Sequence, residues 1–100
     1  LYLKILYDEK PITIRQCLGS LGIIVKEAPQ YGADIAKALL GYDVMPVRET
    51  MRKLILTDIM KVLAEINKTN ADPEIDAYLL WAFSGEILDS KTKKALQKLI

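Results

Sequence analysis

The sequence contains no histidine. That absence removes the commonest general base and the commonest nitrogen ligand for zinc. No Ser-His or Cys-His nucleophilic pair can be assembled. A single cysteine, Cys17, excludes an internal disulfide, and a reducing cytoplasm is the expected compartment. The longest unbroken apolar run, residues 77–83, falls far short of the roughly twenty residues that a membrane-spanning helix needs. There is no P-loop and no GxGxxG fingerprint, and no pair of carboxylates stands apart from ordinary surface charge. No metal and no cofactor is expected. Net charge is only +1, which gives no reason to expect nucleic acid or an anionic membrane as the main partner. The chain opens on Leu1 with no charged n-region and no cleavage site, so the expectation is no signal peptide, and either a fragment or trimmed ends.

What is present is apolar and patterned. Hydrophobic residues make up 51% of 100 positions, enough for one ordered domain spanning residues 1–100. Residues 1–7 read as the tail of a helix. From Pro11 to about Ala28, Ile14, Cys17, Leu18, Leu21, Val25 and Ala28 form one stripe at i, i+3, i+4 and i+7 spacing. Pro11 suits the first helical position, and Asp8 and Glu9 precede it where the macrodipole favours negative charge. A shorter helix is predicted from Gly32 to Leu40, with Ile35, Ala38 and Leu39 inward and Gly41 closing it. Pro46 is predicted to open a long helix reaching Ile66, with Val47, Met51, Leu54, Ile55, Val62 and Ile66 on its stripe. Asp72 and Pro73 repeat the start signal, and Ile75, Leu79, Ala82, Phe83 and Ile87 make the next stripe. A last basic helix follows, capped by Asp89 or Ser90. No strand pattern occurs. Short loops predict antiparallel packing of consecutive helices.

Three helix starts share a layout: Asp8 with Pro11 and Ile14, Asp43 with Pro46 and Val47, Asp72 with Pro73 and Ile75. In the first two an Arg follows at once, as Ile14-Arg15 and Val47-Arg48, 33 residues apart. Leu18 matches Met51 and Leu21 matches Leu54 at that offset. Self-similarity at such a period signals a helical-repeat solenoid. The stretch DEKPITIRQCLGSLG resembles the HEAT-repeat pattern through Asp8, Pro11, Ile14, Arg15, Cys17, Leu21 and Gly22. The third start departs from it, with Asp76 where the Arg would stand. The resemblance implies an all-α, right-handed α-solenoid of about two and a half antiparallel helix pairs. It also implies a scaffold that binds other macromolecules.

Several residues carry two readings. Arg15 and Arg48 suit phosphate or carboxylate recognition, or bonding between repeats. Asp58 falls among Met51, Ile55 and Val62, where an unpaired carboxylate is costly. It pairs with an Arg, caps a break at Thr57-Asp58, or lines a groove. Gly19 and Gly22 each cost about 1 kcal/mol against Ala inside a helix, and close approach of a neighbouring helix would compensate. Cys17 reads as a small buried apolar residue, or as a reactive thiol if its setting is electropositive and accessible. Lys91, Lys93, Lys94 and Lys98 read as a solvated face, or as a site for an acidic partner or nucleic acid. Trp81 lies opposite its helix's stripe with Ala77, Tyr78, Gly85 and Leu88. It is covered by the next repeat, the last helix or a second copy, or else it is an exposed aromatic patch for binding.

The leading expectation is a non-catalytic module that holds a protein partner on a helical surface, with Trp81, Tyr78 and Arg48 as candidate contacts. One alternative is part of a HEAT-like enzyme, an alkylated-base DNA glycosylase or a bilin lyase. Another is a self-associating structural protein.

Overall fold

The computed structural model describes residues 10–99. Five helices account for most of them: α1 (Pro11–Glu27), α2 (Gly32–Leu40), α3 (Glu49–Thr69), α4 (Pro73–Ser84) and α5 (Ser90–Leu99). No strand occurs among the described residues. Asp8, Glu9 and the helix tail expected over residues 1–7 lie outside them.

Each boundary has a local cause. Pro11 occupies the first turn of α1, where its missing N–H leaves nothing unsatisfied. The helix ends at Glu27 because Pro29 has no N–H to continue the ladder; the Ala28 N–H makes the last bond, to Ile24 O at 2.7 Å. A single 3₁₀ turn, Pro29–Tyr31, leads into α2. Asp72 caps α4 by accepting the Glu74 N–H at 2.9 Å. Asn67 holds the preceding loop from both sides: its oxygen accepts the Asp72 N–H at 2.8 Å and its nitrogen donates to Asp76 at 2.9 Å. Asp89 caps α5 by accepting the Thr92 N–H at 2.7 Å.

The third helix begins later than its proline suggests. Val44–Val47 forms a tight turn, closed by the Val47 N–H on Val44 O at 3.1 Å, and Pro46 belongs to that turn. Asp43 accepts the Met45 N–H at 2.9 Å, and Arg52 donates to Met45 O at 2.7 Å and to Val47 O at 3.0 Å. The turn is therefore held from within the helix it precedes. Arg48 is the extended N-cap residue, and α3 starts at Glu49. Arg15, by contrast, sits in the second turn of α1. The 33-residue offset does not place the two arginines at equivalent points of their helices.

The core forms around α3. Ile55, Leu56, Ile59, Met60 and Leu63 have no exposed surface, and α1, α2, α4 and α5 all pack on this helix. A helix enclosed on most sides has no single stripe. That is why Leu56, Ile59, Met60 and Leu63 join the expected Ile55, Val62 and Ile66, while Met51 and Leu54 are only partly buried. The stripes of α1 and α4 hold where they meet α3: Ile14, Leu18, Leu21 and Val25 on α1, and Ile75, Leu79 and Ala82 on α4, are buried. In α2, Ile35, Ala36 and Leu39 are buried and Ala38 only partly. Helix α3 is unbroken at Thr57-Asp58; the Thr57 hydroxyl donates back to Lys53 O at 2.8 Å without interrupting the ladder. The radius of gyration, 12.6 Å, matches the roughly 13 Å of a compact 100-residue domain.

Candidate functional site

An open concavity lies between α1 and α3, with a volume of about 770 Å³. Three close pairs set the geometry of this seam. Arg15 faces Asp58, a Cβ at Gly22 would meet Val62 at 3.8 Å, and one at Gly32, just past α1, would meet Ile66 at 3.6 Å. Both members of each pair advance along the chain together, so α1 and α3 run in the same sense. Buried Leu18 and Val62 line the groove wall. Ile12 and Ile23 flank the groove and are 69% and 59% exposed. Between them sits Gly19, where an added Cβ would meet nothing within 4 Å. The close approach expected at both glycines holds only at Gly22, and there as ordinary van der Waals contact.

Charge is distributed unevenly along this groove. Arg15 Nε donates to Asp58 Oδ2 at 2.8 Å, and Lys68 lies 3.6 Å from Glu65, so both carboxylates lining it are matched. The bond to Asp58 chiefly holds the Arg15 guanidinium pKa above its ordinary value, against a smaller lowering by burial. Lys26 and Lys61 also line the groove, and neither has a carboxylate partner among the described residues. The groove combines an apolar strip, Ile12, Leu18, Ile23, Met51 and Val62, with charged side chains and carries a surplus of positive charge.

A second unusual surface is the outer face of α4. Leu80 is 70% exposed and Trp81 47% exposed, so α5 does not cover Trp81. The reason is where α5 docks. Its main neighbour is α3, held by Lys53 Nζ on Asp89 at 3.0 Å, and it buries Leu88 and Leu96 instead. Leu88, read as part of the Trp81 face, belongs to the core. Tyr78 lies against Trp81, ring centres 5.4 Å apart and planes 56° apart. Its hydroxyl is buried with no hydrogen-bond partner among the described residues, and burial, with smaller contributions from Asp43 and Tyr42, pushes its pKa up to about 12.

The remaining candidates separate. Arg48 is exposed at the start of α3. Asp43 and Pro46 shape the turn before it, and Val47 packs against the core edge. Cys17 is partly buried and desolvation raises its thiol pKa, which opposes thiolate reactivity. Of the basic run on α5, Lys93 is engaged, donating to Gly85 O at 2.8 Å, while Lys91, Lys94 and Lys98 are exposed. Among the described residues no group of three or more His, Cys, Asp or Glu is placed to hold a metal ion, and no helix is long and apolar enough to cross a membrane.

Asp58 lines this groove as well as pairing with Arg15, two of the three readings open to it, and the α1 side of the groove lies on the face that the core stripe does not use. Ile12, Gly19, Ile23 and Lys26 recur at offsets of seven, eleven and fourteen from Ile12, within about 30° of one line on a helix. That second stripe was the available signal. Comparison with protein families, with curated proteins and with solved structures finds no match to this chain.

Proposed function

We propose that this protein is a non-catalytic helical module that holds a partner protein, and that the α1/α3 groove is where it does so. The observation that carries the reading is a partly apolar groove left open between two helices, with Ile12 and Ile23 exposed beside Gly19. Such a groove accepts the apolar face of an amphipathic helix, whose anchors recur at i, i+3, i+4 and i+7. A missing side chain at position 19 lets an incoming backbone approach closely.

The finer architecture we propose is a short right-handed stack of HEAT-like helix pairs. Contacts between α1 and α3, α2 and α4, and α3 and α5 support it, because stacked hairpins bring each helix against the second one along. The Arg15–Asp58 bond joins the first helices of two successive pairs, which is the inter-repeat reading of Arg15. The base-excision alternative gains nothing from the groove. Asp58 is engaged by Arg15, and among the described residues no aromatic side chain lines the site.

An amide chemical-shift titration tests the reading. The probe is an acidic amphipathic helical peptide with four apolar anchors. Shifts should concentrate at Gly19, Gly22, Ile23 and Lys61. Saturable shifts confined to α4 or α5, or none at millimolar peptide, would refute it.

A further inference from the structure

The groove on α1/α3 and the exposed face of α4 share no residue, and their chemistries are opposite in charge and alike in hydrophobicity. We infer that the groove of one copy of this chain receives the α4 face of a second copy. This rests on the groove's being a helix-binding site, and names its occupant.

Helix α4 has the properties the groove requires. It contains no Lys or Arg, and Glu74 and Asp76 lie exposed in its first turn. One turn further on, its outward apolar residues begin: Ala77, Leu80 and Trp81. The groove supplies the complement, with Ile12, Gly19 and Ile23 as apolar seat and Lys26 and Lys61 as unmatched cations. Lengths agree too: the twelve residues of α4 span about 18 Å, and the stretch of α1 from Ile12 to Lys26 spans about 21 Å. Helix α5, the other end of the chain, is the wrong occupant. Its Lys91, Lys94 and Lys98 would meet Lys26 and Lys61 with like charge. A net charge of +1 offers little general repulsion between copies. Because the two surfaces are distinct, two copies either exchange both contacts in a two-fold reciprocal pair or join head to tail as a chain of copies.

Two exposed substitutions test it. Ile23→Glu damages the groove and opposes the carboxylates of α4. Leu80→Arg damages the α4 face and opposes Lys26 and Lys61. Circular dichroism should report parent-like helix in both. In sedimentation velocity the parent should associate with rising concentration while its Trp81 emission shifts to the blue. Each variant alone should associate at least tenfold more weakly. Mixed in equal amounts, they should form a one-to-one heterodimer, since one intact groove and one intact α4 face remain. A parent that stays monomeric to millimolar concentration overturns the inference, as do variants that associate like the parent, or a mixture that does not pair. The peptide titration stands apart from these outcomes: a groove that binds the acidic peptide while the parent stays monomeric leaves the binding-module reading in place and removes only this occupant.

Discussion

Arg15 and Asp58, 43 positions apart in the chain, tie α1 to α3 through one ion pair, with Arg15 Nε donating to Asp58 Oδ2 at 2.8 Å and a second contact at 3.5 Å. The arginine side chain is 42% exposed and the carboxylate 18%. A pair so open to water contributes modestly, because solvent screens it and ordering two side chains offsets part of the gain. Arg15→Ala should therefore lower stability by about 0.5–1 kcal/mol, and a double-mutant cycle with Asp58→Asn should give a coupling of the same size. Urea titration at two salt concentrations measures both. The coupling should shrink at high salt. A loss above about 3 kcal/mol would mean the carboxylate is far less hydrated than its exposure indicates.

Gly19→Ala should stabilise the fold. The residue is inside α1, an added methyl meets nothing within 4 Å, and glycine in a helix interior costs about 0.5–1 kcal/mol relative to alanine. A rise in melting temperature of about 4 °C is expected for a domain of this size. Gly19→Leu should fold equally well and yet abolish peptide shifts in the groove. A Gly19→Leu protein that binds like the parent would separate position 19 from the site.

Tyr78 should titrate anomalously. Spectrophotometric titration should find its phenol near pH 12 rather than 10, chiefly because it is buried. In the unfolded chain the proton leaves at the lower value, so stability should fall as pH rises from about 10 to 12. Tyr78→Phe removes a buried, unpartnered hydroxyl. It should be neutral or stabilising by up to about 1 kcal/mol, and it should abolish this alkaline loss. A destabilised Phe variant would reveal a partner for the hydroxyl.

Asp89 joins two jobs at one carboxylate. Hydrogen bonds from the Thr92 hydroxyl and N–H, then from Lys53, hold its pKa well below the usual carboxylate range. A depressed carboxylate contributes stability above its unfolded pKa of 3.8 and loses it as pH falls below that value. Helix α5 should accordingly fray in acid before α3 does. Asp89→Asn should keep the cap and lose the Lys53 pair, while Asp89→Ala loses both. Hydrogen exchange at the Thr92 amide should accelerate in that order. Equal protection in all three proteins would show that α5 is held by Leu96 alone.

The α1 and α4 stripes were legible in the sequence because the residues they bury, Ile14, Leu18, Leu21 and Val25 on one and Ile75, Leu79 and Ala82 on the other, recur at period 3.6 on one face of each helix. Helix α3 is packed on by four others, so its buried set spreads round the cylinder and hides Leu56, Ile59 and Met60 from any single-stripe reading. Pro46 misled for a different reason: proline suits a tight turn as well as a helix start, and Arg52, seven residues past Met45, decides between them by bonding the turn's carbonyls. That bond is tertiary information. Arg15 and Asp58 were both singled out from the chain, and pairing with an Arg was one of three fates left open for Asp58. The groove beside them is marked in the sequence by Ile12 and Ile23, apolar residues on the face of α1 that the core does not use.

The most direct measurement of the central claim, that the α1/α3 groove seats an apolar helix, puts a photo-crosslinking side chain at position 19. A Cβ added at Gly19 meets nothing within 4 Å, so the side chain starts into open space. Position 20, exposed on the same helix, serves as control. On irradiation with the acidic helical peptide, position 19 should yield adducts on the peptide's apolar face, abolished by Ile23→Glu, while position 20 yields few. Equal adduct yields from the two positions, or adducts indifferent to Ile23→Glu, would contradict the account.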